Sequence, residues 1–318
     1  MRSETNVPAG ISPDALFAKS QHFVASALTA RNSTDMSLFP LSAAIALELL
    51  AKAALASRHP SLIVDVKKNE NTLLAAAGLA VETRVATIGA EAAYARMKHL
   101  APRFRDSVYK ACKKLSEARN AYLHSGDLPF TSGDHGRWEP DFWYAAELML
   151  ATMNRSFEDW LGSDGAIVSK TVLQNARDAR KASVSVRIVE HKEQFLELFP
   201  KISQQNAARS KSEARDPVQA GRSELYDGFE CYWLTECPAC ECFGVSGGNH
   251  SETLLAEDQS EMELGWESIE KIYDIAEFAC STCGLHLNDE EAYFAGLDEP
   301  YIVESEREIE WEPDYGND

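Results

Sequence analysis

Two short cysteine motifs constrain this chain more than anything else in it. Cys237-Pro-Ala-Cys240 and Cys280-Ser-Thr-Cys283 are CxxC pairs separated by 39 residues. A CxxC turn presents two thiolates on one side of a tight knuckle, and two such knuckles supply the four sulfur ligands of a tetrahedral zinc ion. Disulfides are a poor alternative. Met1 to Ser12 is polar, with Glu4 and Pro8 where a secretory signal needs an apolar core, so the chain reads as cytosolic. Seven cysteines would also leave one unpaired. A redox CxxC would need a βαβ context that is missing. Cys237, Cys240, Cys280 and Cys283 are therefore the expected ligands of a structural zinc, since four thiolates leave no open position for a reacting water. Cys231, Cys242, His250 and His286 are spare donors left outside the set.

The second pair follows Phe278-Ala279 and precedes Gly284-Leu285, the strand-turn-strand texture of a zinc ribbon. The stretch between the pairs is longer than usual. With Ser246-Gly247-Gly248-Asn249 and an acidic run it reads as an inserted loop.

Charge divides the chain at the same place. The formal net charge of -19 argues against a nucleic-acid partner if taken whole, but residues 226–318 carry 2 basic and 25 acidic side chains, whereas residues 1–225 are net +4. Ser203 to Ser223 has almost no large apolar residue and reads as an exposed linker. Upstream, Ala- and Leu-rich stretches punctuated by Pro and Gly predict helices over about Leu41–Ala56, Arg105–His124 and from Pro140 onward. The run Leu38 to Ala56, broken by Glu48 and Lys52, falls short of a membrane span, and no membrane partner is expected. The expected architecture is mainly α: a helical bundle over 1–165, a helical connector and linker over 166–225, and a small acidic zinc-ribbon β domain over 226–318.

The helix ending Arg119-Asn120-Ala-Tyr-Leu-His124-Ser-Gly126 carries the candidate chemistry. On a helical wheel Arg119 sits at the edge of the apolar stripe formed by Val108, Cys112, Leu115 and Tyr122, while Asn120 and His124 form an i, i+4 pair on the polar flank. A half-buried Arg beside a His suits phosphodiester cleavage. The imidazole moves the proton of a ribose 2'-hydroxyl and the guanidinium stabilises charge on the phosphorus, with no metal required. Lys110, Lys113 and Lys114 add positive charge for RNA phosphates. The same residues also fit a plain structural role, in which Arg119 pairs with a carboxylate such as Glu48 and His124 closes a helix end.

Arg119-Asn120-Ala-Tyr-Leu-His124 resembles the RNxxxH form of the Rx4-6H motif of HEPN domains. Ala46-Leu-Glu48-Leu-Leu-Ala-Lys52-Ala-Ala-Leu55 resembles the helix that carries an acidic residue in that family. The resemblance covers residues 14–161. It implies an all-α domain that forms a homodimer through the motif helices, often a metal-independent endoribonuclease of toxin-antitoxin or anti-phage defence systems. Arg119 and His124 would then be catalytic, and Asn120 and Glu48 polar supports. Gly126 stands where some HEPN toxins carry a modifiable tyrosine, so neutralisation by that route is not expected. Other HEPN domains are non-catalytic assembly modules; here the ribbon would recruit a protein partner or antitoxin. The acidic domain could also lie over the RNA groove as a charge mimic, or be a solvated face that keeps the chain soluble.

Overall fold

The computed structural model describes residues 7–31, 37–79, 81, 84–130, 136, 138–199, 225, 228–259 and 265–309. The expected linker from Ser203 to Ser223 lies outside the described residues. Two compact units are present, Met1–Ala176 and Arg177–Asp318.

Among its described residues the first unit is built of helices, with one isolated bridge between Val64 and Thr87, and its centre is α2 (Leu38–Arg58). Pro40 sits in the first turn of α2. The helix ends as His59 turns extended, which Pro60 demands of the residue before it. From Ala43 to Ala56 the helix is buried almost all round, and this long apolar helix forms the core of the unit. It packs against α1 (Pro13–Arg31), α4 (Ala90–Leu100), α5 (Asp106–His124) and α6 (Glu139–Thr152); α3 (Asn71–Ala76) is a single short turn at the side.

Two buried polar groups in this core, Ser20 and Glu139, are each held by specific partners. Ser20 Oγ donates to the Ala46 carbonyl at 2.8 Å and accepts from Trp160 Nε1 at 3.0 Å. Buried Glu139 accepts from Arg31 Nε at 2.8 Å and from Trp143 Nε1 at 3.1 Å. Each such group, left unpaired, would cost about 1–3 kcal/mol. The strand-free helix texture read from the sequence is thus present, with α5 running to His124 and Ser125 closing it in an extended conformation.

The helix α7 (Phe157–Leu198) contains one non-helical residue, Gly162, whose φ of 70° only glycine adopts cheaply. Its residues from Arg177 onward belong to the second unit, where Val184 and Phe195 share a core with Trp233, Ile275, Phe278, Leu285 and Leu287. The sheet of that unit is antiparallel. It comprises β1 (Cys231–Glu236), β2 (Phe243–Leu255), β3 (Trp266–Ala279), β4 (His286–Asn288) and β5 (Tyr301–Glu308), in the order β1-β2-β3-β4 with β5 also on β3. A short helix, α8 (Asp289–Phe294), follows β4 and is closed by a capping box between Asn288 and Glu291.

The expectation of an inserted loop after the first CxxC is corrected here. Ser246–Asn249 lies inside β2, paired with β3 throughout and with β1 as far as Gly248, and the insertion is a long β2–β3 hairpin. Gly247 and Gly248 are strand residues there. A Cβ on Gly248 would stand 2.2 Å from the Asp274 carbonyl oxygen and 2.7 Å from the Trp233 ring, so the absence of a side chain lets strand and ring close together.

Candidate functional site

The two CxxC motifs form equivalent knuckles. In the first, Cys237 N–H donates to the Cys242 carbonyl and Glu241 N–H to the Cys237 carbonyl; in the second, Cys280 N–H donates to Leu285 and Gly284 N–H to Cys280, all between 2.8 and 3.0 Å. The residue four after the first cysteine is left-handed in both, Glu241 with φ 60° and Gly284 with φ 74°. β1 feeds the first knuckle and β3 the second, so the four sulfurs meet between two hairpins. Cys237 Sγ lies 3.6 Å from Cys283 Sγ, Cys240 Sγ lies 3.6 Å from Cys280 Sγ, and all four fall within 4.8 Å of one another. Tetrahedral ligands at about 2.3 Å from a zinc ion would lie roughly 3.8 Å apart. Four close cysteines of this geometry could hold a metal ion such as zinc. Hydrogen bonds from the Cys237, Cys240 and Cys283 thiols hold the Cys280 thiol well below the ordinary range, so a thiolate forms readily there.

The spare donors lie elsewhere. Cys242 is buried beside the cluster without joining it, His250 bonds Thr253 Oγ1 at 2.7 Å, and His286 pairs with Glu277 at 2.5 Å. Sequence reasoning missed residues that hold the second knuckle from α7. His191 Nδ1 lies 2.7 Å from the Cys283 carbonyl oxygen. Arg187 donates to the His286 carbonyl and pairs with Glu291 at 2.6 Å, and Arg180 pairs with Glu290. Arg180, Val184, Arg187, His191 and Phe195 recur at three- and four-residue steps, which is the signal that marks one packed face.

In the helical unit, Glu48 on α2 binds two cations on separate oxygens, Arg119 at 2.5 Å and Lys52 at 2.7 Å. Their side chains are only 17%, 18% and 9% exposed, in that order. Arg119 Nε is buried without a hydrogen-bond partner, so the guanidinium is held from one side only. Tyr94 lies beneath the pair. Burial pushes its phenol well above the usual value, with Cys112 and the Glu48 carboxylate adding to the push and Arg119 opposing it. A groove of about 300 Å³ opens here, with Glu48, Arg119, Asn120 and Lys113 among its lining residues.

The predicted residues are thus partly brought together. Arg119, Glu48, Asn120 and Lys113 share the groove; His124 is exposed at the end of α5 and is not among its lining residues, and Lys110 and Lys114 are exposed on the same helix. Lys113 is tied to Glu91 at 2.6 Å, which pulls the Glu91 carboxyl below its ordinary 4.5. No family model matches the chain, and neither the curated proteins nor the solved structures yielded a match.

Proposed function

We propose that the helical unit is a metal-independent endoribonuclease of the HEPN kind. Its four polar residues then have distinct roles. His124 takes the proton of a ribose 2'-hydroxyl as that oxygen attacks the adjacent phosphorus, the bond to the 5'-oxygen breaks, and a protonated imidazole returns a proton to the leaving oxygen, giving a 2',3'-cyclic phosphate. Arg119 stabilises the pentacovalent phosphate, Asn120 orients it, and Glu48 holds the guanidinium in place. The observation that carries the reading is Arg119 with Asn120 in the wall of an open polar groove, with His124 one turn further along the same helix.

Arg119 and His124 are five residues apart, which is about 140° around a helix, so one phosphate is best reached by Arg119 of one copy and His124 of another. That geometry favours a homodimer through α5. Exposed Lys110 and Lys114 would supply phosphate contacts at its rim. The four cysteines would hold a structural zinc that organises the acidic unit and takes no part in cleavage; a toxin or defence effector working inside the cell is the setting that fits both parts.

The test is cleavage of a mixed RNA by the pure chain in EDTA, with end-group analysis of the products. His124→Ala is expected to abolish cyclic-phosphate formation, and Arg119→Lys, which keeps the pair with Glu48, to reduce it by about 10²-fold or more. Full activity of His124→Ala overturns the reading. One observation favours a second reading, a non-catalytic assembly module with the ribbon recruiting a protein: the Arg119 guanidinium is already engaged by Glu48. RNA left intact by every variant, together with loss of a protein partner on truncation after residue 225, would select it.

A further inference from the structure

The acidic sheet is sorted by face. Residues directly opposite each other on neighbouring strands share a face, so the register places Trp266, Ser268, Glu270 and Ile272 of β3 together with Glu308, Glu306, Glu304 and Ile302 of β5 and with Leu254 and Glu252 of β2. The opposite face carries Glu267, Ile269, Lys271 and Tyr273 with Arg307, Ser305, Val303 and Tyr301. Lys271 and Arg307 are the only basic residues after position 225, and both lie on this second face, where Arg307 Nε pairs with Glu267 at 2.9 Å and Ile269 is buried. The first face therefore holds five glutamates and no lysine or arginine. Three of its apolar members stay in solvent, Leu254 and Trp266 at 42% and Ile302 at 50% exposed, while Ile272 is half-buried.

Within that face the charge is concentrated on one strand. Glu304, Glu306 and Glu308 follow one another on β5 at alternate positions, roughly 7 Å apart. Among the described residues β5 hydrogen-bonds to β3 alone, so the alternate residues of its eight that face away from β3 present their backbone donors and acceptors at the outer edge. Long open edges are usually guarded by charged side chains, most often lysine, or by proline or a bulge. This one carries a row of like charge, which repels another acidic strand and attracts a basic one.

We propose that the open edge of β5 binds an extended basic segment of a partner protein by strand addition. The occupant places Lys or Arg at alternate positions opposite Glu304, Glu306 and Glu308 and an apolar residue opposite Ile302. Main-chain hydrogen bonds supply affinity and the alternate side chains supply selectivity. A second copy of the chain is a poor occupant, because β5 laid antiparallel on β5 with the same face up sets glutamate against glutamate. The proposal does not depend on RNA cleavage.

The test uses the full chain and a fluorescent peptide, N-acetylated Lys-Thr-Lys-Val-Lys-Thr-Ile-Thr, with binding read by anisotropy at low and physiological salt. The triple variant Glu304→Gln, Glu306→Gln, Glu308→Gln is expected to weaken binding by roughly tenfold. A peptide of the same composition with its lysines consecutive is expected to bind several-fold more weakly. Two further peptides, N-methylated on one or the other alternate set of backbone nitrogens, report the main-chain bonds, since only one set faces β5 in an added strand; one is expected to lose binding and the other to keep it. Equal binding of both methylated peptides, or of the parent peptide to the triple variant, overturns the proposal. So does dimerisation of the free chain that the triple variant abolishes, because it identifies a second copy as the occupant.

Discussion

The two units solve the same problem, how to hold a chain in one shape, by different means. The helical unit buries a continuous apolar core that includes Phe39, Leu47, Leu50, Phe142, Trp143 and Trp160 around α2. The β unit has a smaller core in which Cys237, Cys240, Cys242 and Cys280 take places that aliphatic side chains would fill. Its sheet also sets like charges directly opposite, as at Glu270 and Glu304. Pairing of that kind is destabilising. The helical unit rests on area removed from water, whereas the β unit gathers four sulfurs at the root of its hairpins, where a metal ion could join them, and on that footing the two should fail under different insults.

Cys280→Ser breaks that comparison open most widely. A structural zinc bound by four thiolates contributes on the order of 10 kcal/mol to folding. The variant, or the parent chain in a strong chelator, should lose the sheet signal in far-ultraviolet circular dichroism while the helical transition stays where it was. A single shared transition would mean that the units are not held independently. Glu48→Ala should act only on the helical unit. It leaves Arg119 and Lys52 without their shared carboxylate in a site mostly shielded from water, and should cost roughly 2–3 kcal/mol in denaturant unfolding with the metal content unchanged.

Glu241→Gly sharpens the comparison between the two knuckles. Glu241 occupies the left-handed position that Gly284 fills in the second knuckle, at a cost of roughly 1–2 kcal/mol for a residue with a Cβ. The substitution should raise the melting temperature of the β unit by a few degrees and, in zinc-loaded protein, slow metal release to a chelator. The smallest effect concerns Lys113. Because Lys113 lowers the Glu91 carboxyl, that pair favours the folded state at neutral pH, and its contribution fades as the pH falls below the ordinary 4.5 through the lowered value. Lys113→Ala should move the Glu91 titration, followed by NMR, up towards its ordinary value, with the Tyr109 hydrogen bond still holding it somewhat low, and with little change in stability because both side chains are solvated.

What could be read in advance follows from where the physical information sits. The CxxC knuckles are local, since three-residue spacing fixes where two sulfurs point, and α2 and α5 show in the periodicity of Leu47, Leu50 and Leu55 and of Val108, Cys112 and Leu115. The pairing of Arg119 with Glu48 was available as one of two readings because an arginine at the edge of a buried stripe needs an anion. The hairpin was hidden because Gly244, Gly247 and Gly248 look like a turn until the rings of Phe229 and Trp233 are placed over the strand. The grip of α7 was hidden for another reason: His191 meets the carbonyl of Cys283, 92 residues away, and a backbone acceptor leaves no mark in a sequence. Arg119 and Asn120 line the groove, while His124 is exposed at the end of α5 and is not among its lining residues.

The placement of the sulfurs at the root of the β2–β3 hairpin has a consequence for how the chain can change. An ion that ties the roots closes a loop whose entropic cost grows only with the logarithm of its length, about 0.6 kcal/mol for each doubling. The hairpin can therefore lengthen, shorten or exchange its tip at little expense to the clasp beneath it. The same unit can carry strand edges of different reach, each presented from one unchanged mount.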